Sequence, residues 1–239
     1  MKLVIVTGAS RGLGLAISKK LVQDGYSVVG ISRNLSDEYR ELMATYSDIF
    51  FYTFDFNNTK DIHSLVKTIT KERGSIYALV NNSAIGHDGI LATMHESEIE
   101  EIMRVNIQAP ILMSKYCSRS MLIKQQGRII NISSIIASSG FNGLSVYGAS
   151  KSALGGFTKS LSRELGKANI TVNTVAPGFL QTDMTQGLAS DKLESIKRRS
   201  PLNRLASSED VSGAVSYLLS DSASSITGTT ITVDAGSTA

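Results

Sequence analysis

The fold of this chain is decided by its opening stretch, Leu3-Val4-Ile5-Val6-Thr7-Gly8-Ala9-Ser10-Arg11-Gly12-Leu13-Gly14. Four apolar residues lead into a turn that is rich in glycine, and apolar side chains recur at helical spacing after the turn. The sequence therefore predicts a strand, a tight turn and a helix that begins near the last glycines of the turn.

The three glycines of this turn have the spacing Gly8-x-x-x-Gly12-x-Gly14. Gly8 allows a sharp turn, Gly12 removes a Cβ atom where a pyrophosphate would approach, and Gly14 lets the helix pack close to the sheet. The helix N-terminus adds free N–H groups and a partial positive charge, which favour phosphate. A plain strand–helix turn is the alternative. We predict a nucleotide site whose residues here are Gly8, Ser10, Arg11, Gly12, Leu13 and Gly14.

Short apolar runs alternate with longer segments of helical spacing along the rest of the chain. Several runs are continuously apolar, as expected for a parallel sheet that helices cover on both faces. The predicted strands are residues 3–6, 28–31, 50–54, 76–80, 128–132, 170–175 and 230–233. This alternation predicts the α/β class: a single doubly wound Rossmann-type domain, residues 1–239, with a mainly parallel seven-stranded sheet flanked by helices.

Two of the helical segments have distinct signatures. Ser207-x-x-Asp210 has the pattern of a capping box, which predicts that a helix begins there. The longest segment predicts a helix whose buried stripe consists of Val146, Ala149, Ala153, Phe157, Leu161 and Leu165.

Composition restricts the classes of function. The chain has 239 residues, of which 42% are hydrophobic, and a formal net charge of +3, which is too small to indicate a nucleic-acid surface. With one cysteine and three dispersed histidines, neither a disulfide nor a metal site is expected. No apolar run has the length of a membrane span, and the N-terminus lacks the pattern of a signal sequence. We therefore expect a cytoplasmic protein without a membrane partner.

The end of the second predicted strand indicates which nucleotide binds. An NAD site usually has a carboxylate here for the ribose 2′-hydroxyl, whereas this chain has Ser32 followed by Arg33. A 2′-phosphate would meet a cation that can bind it in a bidentate manner, and Arg11 offers a second cation. Two solvated arginines are the alternative. The pattern favours NADP(H).

Tyr147 and Lys151 lie four residues apart on the longest predicted helix and so share a face. An ammonium group about 4 Å from the phenol would contribute roughly 4 kcal/mol at an effective dielectric constant of 20, enough to lower the pKa of the phenol by about three units. An ordinary surface pair is the alternative. Polar residues at the ends of two strands, Ser133-Ser134 and Asn81-Asn82, favour a shared crevice instead.

With these residues together, the chain resembles the short-chain dehydrogenase/reductase family along essentially its whole length, and within it the bacterial 3-oxoacyl-[acyl-carrier-protein] reductases. The motifs that carry the resemblance are Thr7-Gly8-x-x-x-Gly12-x-Gly14, Asn81-Asn82-Ser83-Ala84, Asn106, Ser134, Tyr147-x-x-x-Lys151 and Pro177-Gly178.

The resemblance implies four catalytic residues. Ser134 would hydrogen-bond the substrate carbonyl, and Tyr147 would give it a proton, so both are also the implied substrate-binding residues. Lys151 would hold the nicotinamide ribose and lower the pKa of Tyr147, and Asn106 would anchor a water through its backbone. The further cofactor-binding residues that the resemblance implies are Asp55, Phe56, Asn82, Pro177, Gly178, Leu180 and Thr182.

The same resemblance implies NADPH-dependent reduction of a 3-oxoacyl thioester on an acyl-carrier protein, with residues 179–201 as a substrate loop. Another family reductase, acting on a sugar, steroid or small carbonyl, is the alternative, and a nucleotide-sensing regulator is a second one. A homotetramer is implied. Apolar stripes near residues 111–121 and 153–165 are candidates for its interface, and burial within the single chain is their alternative. Candidates for docking an acidic carrier protein are Lys124, Arg128 and Lys167.

Overall fold

In the computed structural model, which describes residues 1–180 and 190–239, seven strands form one sheet with the order β3-β2-β1-β4-β5-β6-β7. Every neighbouring pair of strands is parallel. The strands are β1 (Leu3–Thr7), β2 (Ser27–Ser32), β3 (Ile49–Thr53), β4 (Ile76–Asn81), β5 (Gly127–Ile132), β6 (Ile170–Pro177) and β7 (Thr230–Val233). The predicted fold class and all seven predicted strands are confirmed, each within two residues at either end.

Helices connect the strands and cover both faces of the sheet. They are α1 (Gly12–Gln23), α2 (Asp37–Thr45), α3 (Ile62–Arg73), α4 (Glu96–Met103), α5 (Ala109–Lys124), α6 (Ser145–Leu165), α7 (Ser190–Arg199) and α8 (Ser208–Leu219). A π-helical turn, Arg104–Gln108, joins α4 to α5. The capping box that begins α8 is confirmed, because the Ser207 hydroxyl accepts the Asp210 N–H and the Asp210 carboxylate accepts the Ser207 N–H.

The core has two layers, because alternate side chains of each strand point to opposite faces of the sheet. Val4 and Val6 pack towards α1 and α8 on one face, whereas Leu3 and Ile5 belong to the layer of α3 and α5 on the other. Helices therefore shield the central strands on both faces, which explains why these strands are continuously apolar. In the described part of the chain, no helix is long and apolar enough to cross a membrane.

The buried face of α6 differs from the predicted stripe. Ala149 and Ala153 are exposed, and the helix buries a neighbouring face that consists of Val146, Gly148, Ser150, Lys151, Leu154, Thr158, Ser162 and Leu165. Polar side chains are accepted on this face because they find partners: the Thr158 hydroxyl bonds both Asn131 and Thr174 at 2.8 Å. The stripe prediction was therefore wrong for the middle of the helix.

From β1 the chain adds β2 and β3 on one side of the sheet, and it then adds β4 to β7 on the other side. The direction of strand order therefore changes between β1 and β4. In open α/β sheets, ligands bind outside the carboxyl ends of the strands at such a switch point. The glycine turn after β1 and the polar residues after β4 and β5 all lie at this edge.

Candidate functional site

A crevice of about 550 Å³ opens at the carboxyl ends of β1 to β4. The topology brings together residues that are distant along the chain, because the four strand ends meet at one edge of the sheet. The predicted cofactor residues that line the crevice are Gly8, Ser10, Arg11, Gly12, Leu13, Arg33, Asp55, Phe56 and Asn82.

The glycine turn is held by close backbone packing and by one amide side chain. Gly8 and Gly12 have φ angles of +66° and +53°, in the region that favours glycine. A Cβ atom on Gly14 would lie 2.0 Å from the Gly8 carbonyl oxygen, so only glycine lets α1 approach the turn this closely. The Nδ2 group of Asn82 donates to the carbonyl oxygens of Thr7 and Gly8, at 2.9 and 3.1 Å.

The turn presents an anion-binding surface to the crevice. No side chain caps the N-terminus of α1, and its first turn holds no acidic residue. The N–H groups of that turn and the partial positive charge of the helix are thus available to a phosphate. A Cβ atom on Gly12 would meet no protein atom within 4 Å, which leaves open space where a pyrophosphate would lie. These residues fit a dinucleotide.

Hydroxyl groups and a cation surround the end of β2. The Ser10 N–H donates to the buried Ser32 hydroxyl at 3.1 Å, and the Ser36 hydroxyl donates to the Ser10 carbonyl. Arg11 and Arg33 are exposed at the rim of the crevice. Two guanidinium groups and the hydroxyls of nearby serines suit the 2′-phosphate of NADP(H), as the sequence predicts.

The end of β3 forms the opposite wall of the crevice. One Asp55 carboxylate oxygen accepts the Asn57 N–H at 2.9 Å, which fixes a turn at this strand end. Phe56 is buried against Phe54, with ring centroids 5.3 Å apart. Asp55 and Phe56 therefore line the crevice at this strand end, and their contact with an adenine stays a prediction.

Three of the four predicted catalytic residues meet beyond the end of β5. Ser134 is the second residue after that strand and interacts with the Tyr147 hydroxyl, and both side chains are half-buried. Lys151 is only 3% exposed, and its Nζ donates to the Ile132 carbonyl oxygen at 2.9 Å. The Ser133 hydroxyl donates to the Lys151 carbonyl oxygen at 2.9 Å, which ties α6 to this strand end.

The electrostatics of this group differ from the sequence-based expectation. Burial raises the pKa of Tyr147 above its usual value; the hydrogen bond with Ser134 opposes this shift, and the negative charge of Asp88 adds to it. Burial outweighs any effect of Lys151 on the phenol, since the Lys151 Nζ lies 5.7 Å from the ring centroid and donates to a carbonyl oxygen. Burial lowers the pKa of Lys151 itself to about 8.

Asn106, the fourth predicted catalytic residue, occupies the π-helical turn and is 1% exposed. Its side-chain amide clamps the loop after β4: Oδ1 accepts the Ile85 N–H at 2.9 Å, and Nδ2 donates to the Ile85 carbonyl at 2.8 Å. Nδ2 also donates to the Ser150 hydroxyl on α6. The residue thus joins the crevice loop to the helix of Tyr147, and its water-binding role stays a prediction.

The remaining predicted cofactor residues follow β6. Pro177 ends that strand, and the Gly178 N–H donates to the Val233 carbonyl oxygen at 2.9 Å. The Leu180 side chain is buried in the core, and its backbone forms a β-bridge with Ala206, so its contact with a cofactor stays a prediction. Thr182 and much of the predicted substrate loop, 179–201, lie outside the described residues. Phe179, which is described, packs on Phe141 with centroids 5.6 Å apart.

The residues predicted to dock a carrier protein lie at the other edge of the sheet. Lys124 ends α5, Arg128 is the second residue of β5, and Lys167 precedes β6. Arg128 is 4% exposed and is therefore not available to a protein surface, which corrects that part of the prediction. Docking by the two exposed lysines stays a prediction.

Sequence reasoning missed two residues of the crevice. Ser36 both lines it and caps α2, where its hydroxyl accepts the Tyr39 N–H at 3.2 Å. Asn57 also lines it and donates to Glu101 on α4 at 3.0 Å. A serine that precedes Asp37 and Glu38 has the pattern of a helix N-cap, so Ser36 had a readable signal. Asn57 had none, because its partner lies 44 positions away.

Comparisons with known proteins agree with this site. A family model described as "Enoyl-(Acyl carrier protein) reductase" matches residues 8–238. The chain is 38% identical over 235 residues to "3-oxoacyl-[acyl-carrier-protein] reductase FabG" of Vibrio cholerae, covering 98% of this chain and 96% of the relative. It is 40% identical over 235 residues to "Carbonyl reductase family member 4" of Xenopus tropicalis, covering 98% and 97%.

A solved structure described as "ElxO with NADP Bound" superposes with a TM-score of 0.91. It is 29% identical in sequence, and the match covers 99% of this chain and 98% of that chain.

Proposed function

This chain belongs to the short-chain dehydrogenase/reductase family, and we propose that it reduces 3-oxoacyl thioesters of an acyl-carrier protein to 3-hydroxyacyl thioesters. It is an NADP-dependent oxidoreductase that acts on the CH–OH/C=O pair, the activity of its reductase relatives. The observation that carries the proposal is the joint position of Ser134, Tyr147 and Lys151 beside a crevice with the donors for a dinucleotide.

Two groups of crevice residues would hold the cofactor NADP(H), one at its pyrophosphate and one at its 2′-phosphate. The N–H groups at the start of α1 and the open space at Gly12 receive the pyrophosphate, and Arg33 with Arg11 receives the 2′-phosphate. The reduced cofactor supplies a hydride to the carbonyl carbon. Lys151, whose Nζ donates to the Ile132 carbonyl oxygen at the end of β5, would hold the nicotinamide ribose.

Tyr147 and Ser134 act on the carbonyl oxygen of the substrate. The Ser134 hydroxyl donates a hydrogen bond to this oxygen and so stabilises the negative charge that develops on it. The Tyr147 hydroxyl then transfers its proton to the same oxygen, which completes the alcohol and leaves a phenolate. Because burial raises the pKa of Tyr147, the phenol carries its proton at neutral pH before the reaction.

A substrate panel tests this function. We expect the protein to oxidise NADPH, followed at 340 nm, when acetoacetyl-coenzyme A or an acetoacetyl carrier protein is supplied. The carrier-linked substrate should give the higher kcat/KM. Turnover of simple ketones or steroids without turnover of either thioester would contradict the substrate class. Binding of NADPH without turnover of any carbonyl would contradict the reductase function itself.

Substitution of Arg33 tests the cofactor preference. Arg33→Ser should reduce kcat/KM with NADPH by about 10- to 100-fold, because a hydrogen bond to a charged group contributes roughly 1.5–3 kcal/mol. The value with NADH should change little, since NADH lacks the 2′-phosphate. Arg40→Ser is the matched control, because Arg40 is an exposed arginine of α2 that pairs with Asp37. Equal losses with both cofactors would contradict a 2′-phosphate contact.

We further propose a homotetramer that pairs through α5 and α6. On α6, Ala149 and Ala153 are exposed, and Phe157 is half-buried. Ile111 on α5 is 37% exposed, whereas Met113, Cys117 and Met121 of the predicted stripe are buried within the chain. Light scattering of the wild type and of Ala153→Glu tests this interface. The wild type should be a tetramer, and the new charge in Ala153→Glu should disrupt it. A monomeric wild type would contradict the proposal. The cytoplasmic location stays a prediction from the sequence.

A further inference from the structure

A second depression, of about 520 Å³, lies at the amino ends of β5 and β6, on the edge of the sheet opposite to the cofactor crevice. Its lining includes Lys124, Arg128, Asn169, Thr171 and Asp221. None of these residues takes part in the reaction described above, so the depression requires an explanation of its own.

The Arg128 guanidinium is the unusual group in this depression. It is 4% exposed, yet in the described part of the chain it forms no ion pair with a carboxylate. A buried charge without a counter-charge is strongly unfavourable, and buried arginines in proteins are normally paired. The nearest aromatic ring, of Tyr77, lies 5.8 Å from the guanidinium carbon and offers only a weak cation–π contact.

Only the Nη1 group of this guanidinium has hydrogen-bond acceptors. Nη1 donates to the carbonyl oxygens of Gly127 and Asn169, at 2.9 and 3.4 Å. Nε is shielded from solvent and has no acceptor, and Nη2 makes no hydrogen bond with any described residue. The Nε and Nη2 groups form the edge with which arginine binds a carboxylate or phosphate through two parallel hydrogen bonds.

A second unsatisfied group lies on the neighbouring strand. Thr171 pairs with Arg128 in the register of β5 and β6, so the two side chains project from the same face of the sheet. Thr171 is 6% exposed, and its hydroxyl has no partner in the described structure. A hydroxyl donor on the same sheet face as the unsatisfied N–H groups of a guanidinium suits an oxyanion.

The charges around the depression are mainly positive. Lys124 is exposed at its rim, next to the buried guanidinium. Among the described lining residues the carboxylate is that of Asp221, and it is bonded by Lys2 at 2.9 Å. The charge of Asp221 also acts on Arg128, but Asp221 is already bonded by Lys2 and forms no hydrogen bond or close ion pair with the guanidinium.

We propose that this depression binds a small oxyanion, a phosphate or carboxylate group, on the Nε/Nη2 edge of Arg128. The Thr171 hydroxyl donates a further hydrogen bond to the anion, and Lys124 attracts it from the rim. Because Nε and the Thr171 hydroxyl are both shielded from solvent here, both side chains turn slightly to engage the anion. The anion neutralises the buried cation and therefore stabilises the fold, without competing with NADPH at the opposite edge.

Thermal unfolding of the NADPH-saturated enzyme tests this proposal, because saturation occupies the phosphate sites of the crevice. Chloride is replaced by inorganic phosphate, or by acetate in a parallel arm, at constant ionic strength. We expect one anion or both to raise Tm by about 3 °C or more, the shift that a concentration of ten times Kd produces in a domain of this size. The arm that responds identifies phosphate or carboxylate as the group bound.

Three variants assign the effect to this depression. Thr171→Val and Lys124→Ser should each reduce the shift in Tm. Arg128→Met should abolish the shift, so that Tm no longer depends on the anion. The first two keep the test decisive if Arg128→Met fails to fold. Lys19→Ser, on the exposed face of α1, is the matched control and should respond like the wild type. No shift in the wild type, or an equal shift in Thr171→Val and Lys124→Ser, would overturn the proposal.

Discussion

Replacement of Tyr147 by phenylalanine should reduce kcat by about 10²- to 10⁴-fold, the usual contribution of a positioned general acid. The change removes the hydroxyl that hydrogen-bonds Ser134 and gives the proton, but it keeps the ring on α6. The dissociation constant of NADPH should stay within about threefold, since the phosphate contacts lie at the start of α1 and the end of β2. Steady-state turnover and fluorescence titration of NADPH measure the two quantities.

Tyr217→Phe is the matched control for this change. Tyr217 is a tyrosine of α8 whose side chain is 47% exposed, on a helix that does not carry the catalytic residues. It should retain the turnover of the wild type. Near-normal turnover in Tyr147→Phe would disprove the role of Tyr147 as proton donor, whereas a loss of NADPH binding of the same size would assign the residue to the cofactor site instead.

Replacement of Lys151 by methionine should weaken NADPH binding and also slow the reaction. The ammonium lies 5.7 Å from the Tyr147 ring centroid, and at this distance it stabilises a phenolate by about 3 kcal/mol at an effective dielectric constant of 20. That energy corresponds to roughly 10²-fold in rate. The lost ribose contact adds a rise in KM for NADPH. A variant with unchanged kcat and raised KM would restrict Lys151 to binding.

The same substitution should change the pH dependence of stability. The pKa of Lys151 is about 8 in the folded protein and about 10.5 in the unfolded chain, so between these values the unfolded state binds more protons. Stability without cofactor therefore rises with pH across this window, by about 3 kcal/mol at 1.36 kcal/mol per unit of pKa. Below pH 8 the folded protein carries the full cost of the buried ammonium. Lys151→Met should lose this rise.

Chemical unfolding from pH 7.5 to 10.5, without NADPH, measures that effect as the difference between wild type and variant. Lys159→Met is the matched control, because Lys159 is an exposed lysine on the same helix. It should keep the pH dependence of the wild type. Parallel curves for the wild type and Lys151→Met would show that the ammonium is not destabilised by its burial.

The strands of this protein were predictable from sequence because its sheet is buried on both faces. Continuous apolar runs mark several of the strands, and the glycine turn marks the switch from β1 to α1. Observed strands extend beyond the predicted runs by at most two residues, as β6 does when it continues to Pro177. Boundaries of this kind depend on hydrogen bonds to a neighbouring strand, which apolar periodicity does not encode.

The buried face of α6 was not predictable in the same way. Periodicity places apolar residues such as Ala149 and Ala153 inside, but the structure exposes them and buries Ser150, Lys151 and Thr158. These polar side chains gain hydrogen bonds only after β5, β6 and the π-helical turn have packed around the helix. Partners so distant in sequence cannot be inferred from the spacing within one helix.

The sequence by itself determined the fold class, the phosphate turn and the residue types of the reaction, since strand patterns, glycine spacing and the Tyr147-x-x-x-Lys151 pair are local features. Tertiary structure decided the electrostatics. Burial raises the pKa of Tyr147 and lowers that of Lys151, and it leaves Arg128 as a buried cation at the far edge of the sheet. Desolvation depends on how much of the protein surrounds a charge, and only the folded chain sets that environment.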